Sequence, residues 1–219
     1  MTVQREPAAP RLGSVAPAER VDLLADLDWF DVEVSHEFVG AALEEAQLRG
    51  TRCVSSAFTS AQFRKARFVD TVFEQCELSG AQLDETGATR VEFRNCRMSG
   101  VQVNASRWKD VVFVGCRLDG ANFRMLTGER VWFDDCVLRQ ADFRGSTIEH
   151  ARFRGCDLTG ADFAQARVPD AVLHGSTFDQ MRGIDGLVRP VIDSEQVMPF
   201  AGLLLTLHGV VVSDEGEPT

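Results

Sequence analysis

Apolar and polar residues repeat along this chain with a period of five. Residues 41–180 divide without a slip into 28 blocks of five residues. The third residue of each block, its centre, is Phe in twelve blocks and Leu in eight, and the first residue is Ala in eleven and Cys in five. No charged residue occupies these 56 positions, although 26% of the chain is charged. A period of five fits neither the α-helical period of 3.6 nor the strand period of 2.

A chain that turns a corner after every block accounts for this pattern. Each block then forms one short side, four blocks close a square coil, and the first and third side chains point inward. The cysteines support four sides, because Cys76, Cys96, Cys116, Cys136 and Cys156 recur once in every four blocks. Coils stacked about 4.8 Å apart would give seven coils a length of about 34 Å.

These blocks resemble the pentapeptide-repeat family, whose pattern is a small residue, Asp or Asn, Leu or Phe, and two variable residues. Residues 121–125, 141–145 and 161–165 (ANFRM, ADFRG and ADFAQ) match it closely. The resemblance implies an all-β solenoid, a right-handed quadrilateral β-helix of about seven coils. Some members of the family imitate duplex DNA with an acidic rod, bind DNA gyrase and can protect it from quinolones.

The flanking segments predict short helical caps at both ends. Residues 1–16 lack the apolar segment of a secretion signal and predict a flexible N-terminal segment. Residues 17–40 predict a helical cap, since an open solenoid end exposes core and unpaired backbone. The solenoid is expected over residues 41–183, a C-terminal helical module over 184–213 and a polar tail over 214–219.

Within the C-terminal module, Asp193 and Gln196 predict a capping box before a helix that ends at Gly209. The helix is apolar on more than one side, with Val197, Phe200, Leu203, Leu204 and Leu207 as its apolar residues. It either only caps the last coil or also pairs with a second copy, and we expect a homodimer.

Charge distinguishes two hypotheses about the partner. The chain has a formal net charge of −10, but residues 41–180 hold 19 acidic and 18 basic groups, a net of −1. A DNA mimic should concentrate negative potential along its rod. One hypothesis is therefore a DNA-mimicking regulator or protector of gyrase, without direct binding to nucleic acid. The other is a general protein-interaction scaffold without mimicry.

Two surface features are candidate partner sites. Outward positions on one face include Val72, Val112 and Trp132, and an exposed apolar stripe with Trp often marks a contact. It could instead lie beneath a folded-back terminal segment. On another face a column that begins with Gln62, Gln82 and Gln102 predicts a structural ladder of amide side chains. Its end at Asp142 and Asp162 is the candidate acidic patch.

The sequence predicts no enzyme, cofactor or metal site. The cysteines are too far apart for the usual metal spacing and fit a buried core, and the four His have no nucleophile or phosphate-loop motif near them. No segment is apolar enough to cross a membrane, so a cytoplasmic location is expected. Leu126 at a small position and Gly128 at a centre predict a thinly packed stretch with a distorted corner.

Overall fold

The computed structural model describes residues 5–211, which form a parallel β-solenoid. The strands are β1 (Ala16–Pro17), β2 (Asp28–Phe30), β3 (Val32–Val34), β4 (Gln47–Arg49), β5 (Arg52–Val54), β6 (Arg67–Glu74), β7 (Gly87–Arg94), β8 (Arg107–Val114), β9 (Thr127–Asp134), β10 (Thr147–Glu149) and β11 (Arg152–Arg154). The helices are α1 (Arg20–Ala25) and α2 (Val197–Leu207), and short 3-10 turns lie at Ile184–Gly186 and Ser194–Gln196. The predicted tail at 214–219 lies outside the described residues.

Neighbouring coils pair residues that lie four blocks apart in sequence, as the square coil predicts. Phe73, Phe93, Phe113 and Phe133 lie in register on β6 to β9, and their stacked rings are 4.8 to 4.9 Å apart. The predicted β-solenoid of about seven coils is confirmed. We name its sides the Gln82 face (blocks 41–45 to 161–165), the fourth face (46–50 to 166–170), the Phe73 face (51–55 to 171–175) and the Cys face (56–60 to 176–180).

Each corner of the coil is a residue in the left-handed region. Every fifth residue from Gly40 to Gln180 has a φ between 49° and 70°, and most of these residues are not glycine. A side chain makes this conformation cost about 1–2 kcal/mol per residue. The sequence pattern predicted the corners but not their left-handed conformation, because regular stacking with coils above and below imposes it without requiring glycine.

We expect the substitution Ala105→Gly to stabilise the protein. Ala105 is an exposed corner residue with a φ of 55°. Removing its Cβ relieves the left-handed strain and should raise the free energy of unfolding by about 0.5–1 kcal/mol in urea denaturation. Ala164→Gly is the matched control, since Ala164 is not a left-handed residue. It should lower stability by a similar amount, and equal effects of both substitutions would contradict the strain argument.

The N-terminal cap is less helical than predicted for residues 17–40. Only α1 is helical, whereas β2 pairs with β4 and β3 with β5 and thereby add a coil before residue 41. Trp29, Val34 and Phe38 are its buried centres. Val34 pairs with Cys53, so this coil is one residue shorter than four full blocks. Because this coil lacks one residue, the five-residue repeat of the sequence did not extend to it, and the coil was not predicted.

The prediction of loose packing and a distorted corner at Gly128 is wrong. Thr127–Glu129 pairs in regular parallel register on both sides. A Cβ on Gly128 would lie 2.8 Å from Val131 Cγ2 and 3.2 Å from Ile148 Cγ2, so the space is already occupied. The centre in the preceding coil is Trp108, which is buried and has Ala88 on its other side. Val131 and Ile148 therefore keep this face packed around Gly128.

The C-terminal module predicted for residues 184–213 begins as a continuation of the solenoid, since Val191 pairs with Val172 and Ile184 and Leu187 are buried. Its helical part starts only after this. The capping box predicted between Asp193 and Gln196 is present, and the buried Gln196 amide also donates to the carbonyl oxygens of Leu173 and Ser176. Helix α2 ends at Leu207, and Gly209 follows with a φ of 67°. The N–H of Gly209 donates to Thr206 and that of Val210 to Leu205, which satisfies carbonyls at the helix end.

Candidate functional site

The interior of the solenoid is closed by its own side chains. Phenylalanine centres fill it as stacked and edge-to-face rings, and residues such as Phe113, Phe123 and Phe133 are completely buried. Within residues 5–211, no group of His, Cys, Asp and Glu side chains is placed to hold a metal ion. No helix of that range is long and apolar enough to span a membrane. The candidate sites that remain within this range lie on the outer surface.

The cysteine column belongs to the core. All six cysteines are free and buried. The thiols of Cys76, Cys96, Cys116 and Cys156 each donate to a backbone carbonyl oxygen of the adjacent coil at 3.3–3.4 Å. Burial, with a smaller effect from Cys76, raises the pKa of Cys53 well above its usual value. Because all six side chains are buried, a reagent cannot reach the thiols in the folded protein, and they should be inert there.

We expect the cysteines to resist thiol reagents in the native state. Incubation with a maleimide at neutral pH should leave all six thiols unlabelled by mass spectrometry, whereas the same treatment in guanidinium chloride should label all six. The native labelling rate should follow global unfolding, because no thiol becomes accessible without opening a coil. Rapid native labelling of Cys96 or Cys116 would contradict this packing.

The apolar stripe on the Phe73 face is less exposed than predicted. Trp132 is only 6% exposed and Val72 only 4%, which corrects the expectation that both lie open to solvent. The Arg152 guanidinium lies 3.4 Å from the Trp132 ring centroid, and the indole N–H donates to the His150 carbonyl oxygen. Val112 is half-buried. Sequence periodicity could not anticipate that a neighbouring arginine covers the ring; contact with a partner here stays a prediction.

On the Gln82 face the two aspartates of the predicted acidic patch are paired with arginines. Asp142 and Asp162 lie in adjacent coils at the end of the predicted column. Asp142 accepts from Arg124 Nε at 2.6 Å and also from Arg144, and Arg182 lies 3.3 Å from Asp162. In the amide part of the column, the Asn122 side chain donates to the Gln102 side chain at 2.9 Å. The arginines therefore offset the negative charge that the sequence placed here.

A column of alternating charge follows the corner between the fourth face and the Phe73 face. This corner column consists of residues 50, 70, 90, 110, 130, 150 and 170. Arg90 donates to both oxygens of Asp70 at 2.6 and 2.7 Å, and Arg130 pairs with Asp110 in the same way. The hydrogen bonds from Arg90 hold the pKa of Asp70 below its usual value. At Asp110, burial alone would raise the pKa of the carboxyl group. The hydrogen bonds from Arg130 outweigh this, so the pKa of Asp110 is still below its usual value.

The N-terminal segment lies along this corner column. The backbone N–H of Arg11 donates to Asp70 at 2.9 Å, and that of Ala8 donates to Asp110 two coils further on. β1 then pairs with β3. The sequence analysis missed this contact, although Asp and Arg alternate once every four blocks at positions 70, 90, 110 and 130. The flexibility expected of residues 1–16 stays a prediction.

Helix α2 divides its apolar residues between the solenoid and the surface. Phe200 and Leu203 pack against the core, and the Phe200 ring meets Phe178 edge-on at 5.7 Å. Val197, Leu204 and Leu207 are 51%, 40% and 45% exposed. The helix therefore caps the last coil with one side and leaves an apolar side uncovered.

Comparisons with known proteins agree with the five-residue pattern. A family model described as a pentapeptide repeat region matches residues 50–123 and 86–163, and a model of eight pentapeptide repeats matches residues 156–180. No curated protein sequence matches the chain. The solved structure of full-length QnrB1, a plasmid-mediated fluoroquinolone resistance protein, is 23% identical with a TM-score of 0.55, covering 81% of this chain and 90% of that one. A trypsin-treated QnrB1 variant is 23% identical with a TM-score of 0.52, covering 84% of this chain and 99% of that one.

Proposed function

Because the two family models together match residues 50–180, the chain belongs to the pentapeptide-repeat family, and we propose that it is a non-enzymatic binding protein that acts on DNA gyrase. The observation that carries this proposal is the rod itself: a solenoid with a closed interior and a C-terminal cap, similar in fold to QnrB1. A rod without an internal cavity offers a partner only its faces and ends. Gyrase works in the cytoplasm, where the free thiols of this chain would remain reduced.

The charge pattern favours a contact that does not imitate DNA along the whole rod. Asp142 and Asp157 are each paired with arginine, as are the carboxylates of the corner column. Such pairing limits the negative potential that a DNA mimic needs. This observation favours the second candidate, a general protein-interaction scaffold that does not mimic DNA. The two candidates differ in whether the protein changes the activity of gyrase.

A supercoiling assay with purified gyrase separates them. We expect the protein to change ATP-dependent supercoiling of relaxed plasmid, or to restore it in the presence of a fluoroquinolone. The unfolded variant Phe113→Asp is the negative control. Neither inhibition nor protection, together with no gyrase binding in a pull-down, would reject the gyrase proposal and leave the scaffold.

We also propose that the uncovered side of α2 joins two copies about a two-fold axis. A two-fold contact brings the same patch of both copies together and closes the assembly. Light scattering of the wild type should give twice the chain mass of 24.2 kDa. The Leu204→Glu variant should be a monomer with the mass of a single chain. Thr206→Glu adds the same charge to the exposed side of the helix without removing an apolar side chain, so it is the matched control. A wild-type monomer at micromolar concentration would leave α2 as a cap alone.

A further inference from the structure

The fourth face contains a notch between two arginines. Arg67, Gly87 and Arg107 lie side by side in register on β6, β7 and β8, and all three point outward. Adjacent strands are about 4.8 Å apart, so the two arginines are about 9.6 Å apart at their Cα atoms. Gly87 contributes no side chain, and a Cβ built on it would meet no atom within 4 Å. The space between the arginines is therefore open down to the backbone.

Neither guanidinium in this notch has a partner among residues 5–211. Most arginines of the corner column and the Gln82 face pair with carboxylates, whereas within that range no ion pair or side-chain hydrogen bond engages Arg67 or Arg107. The same groove is lined by Lys65 and Thr89, which add a cation and a hydroxyl. Two cations on strands this close together repel each other, and an anion placed between them offsets that repulsion.

The surroundings limit how large the anion can be. Glu45 and Glu85 also line the groove, and further along the same face Glu129 follows Lys109 in register and Glu149 follows Glu129. The outward neighbours of Arg107 in the next two coils are Thr127 and Thr147, so the row of cations stops. A polyanion would meet carboxylates on both sides, whereas one tetrahedral group needs only the notch.

We propose that the notch formed by Arg67, Gly87 and Arg107 binds a single phosphomonoester group. The guanidinium groups donate to its oxygens from two sides, and the Thr89 hydroxyl lies in the same groove. Gly87 serves as the floor of the site, because any side chain there would fill the space that the phosphate needs. The group belongs either to a free phosphorylated metabolite or to a phosphorylated side chain of a partner protein.

Titrations monitored by ¹H–¹⁵N shifts test this site at constant ionic strength. The probes are inorganic phosphate, a phosphoserine peptide, the same peptide with serine, and a short double-stranded oligonucleotide. We expect phosphate and the phosphopeptide to shift the amides of Gly87 and Thr89, and the serine peptide to leave them unchanged. Tighter binding of the phosphopeptide than of phosphate would identify a protein source, and equal binding would identify a free metabolite.

Three variants distinguish the notch from general charge attraction. Gly87→Val keeps every charge and fills the space, and a β-branched residue suits an open strand position. It should weaken phosphate binding roughly tenfold to a hundredfold, as should Arg107→Gln. Arg117→Gln removes an exposed arginine of the Cys face and should change nothing. Undiminished binding by Gly87→Val, stronger binding of the oligonucleotide, or no response of the wild type to phosphate would each overturn the proposal.

Discussion

The substitution Phe113→Asp should prevent the protein from folding, and Phe113→Ala should lower its free energy of unfolding by about 3–5 kcal/mol. Phe113 is completely buried, and its ring stacks at 4.8 Å on both Phe93 and Phe133. Alanine leaves a cavity that stacked strands cannot close, because their spacing is fixed by hydrogen bonds on both sides. Aspartate adds an unpaired charge that the filled interior cannot solvate.

The adjacent residue supplies the control for this prediction. Val114 follows Phe113 on β8 but points outward and is 38% exposed. Val114→Asp should therefore remain folded, with a change in stability within about 0.5 kcal/mol. Circular dichroism and urea denaturation measure both effects. A soluble, normally melting Phe113→Asp protein would show that the inward and outward positions have been assigned the wrong way round.

The substitution Trp108→Ala should destabilise the fourth face by about 3–5 kcal/mol. Trp108 is a buried centre between the small centres Ala88 and Gly128, and its ring packs against those of Phe113 and Phe123 at 5.9 and 6.2 Å. Its indole N–H also donates to the Thr86 hydroxyl at 3.1 Å. Removing the indole leaves a cavity in the core and takes away one partner of a buried hydroxyl.

Trp132→Ala is the matched control, since Trp132 is also a buried tryptophan in a long strand. Its ring lies on the outer surface beneath Arg152, so its removal leaves a solvent-filled groove and no internal cavity. We expect a smaller loss, about 1–2 kcal/mol. Urea denaturation followed by circular dichroism compares the two variants. Equal losses would mean that the packing of Trp108 between small centres does not stabilise the solenoid.

The sequence predicted the solenoid because its interior is narrow and admits only two side chains per block. This constraint produces the pattern of Phe centres and small first residues that the sequence shows. The four-block spacing of Cys76 and Cys96 shows in addition that each coil has four sides. The five-residue repeat did not predict the first coil, because the centres Val34 and Phe38 of that coil are four residues apart and not five. It also failed at Gly128, since Ile148, which fills space beside it, is a whole coil away in sequence and only stacking brings it near.

The surface was harder to predict than the core. Which residues point outward follows from the repeat, but which of them cover one another depends on side-chain directions across coils. The burial of Trp132 by Arg152 and the pairing of Asp142 with Arg124 are of this kind. The notch at Gly87 was hidden for the same reason, because a glycine in one coil becomes a binding feature only when its neighbours in the next coils are known.

The corner column restricts how the length of this protein can change by insertion or deletion. Loss of one block would turn everything that follows by a quarter turn and bring different faces together, whereas loss of a whole coil keeps each face continuous. Between Asp70 and Arg130 even that is not enough, since deleting one coil that contains Arg90 would place Asp70 against Asp110. Deleting two coils would instead place Asp70 beside Arg130 and restore the alternation. Viable length variants in this stretch should therefore differ by an even number of coils.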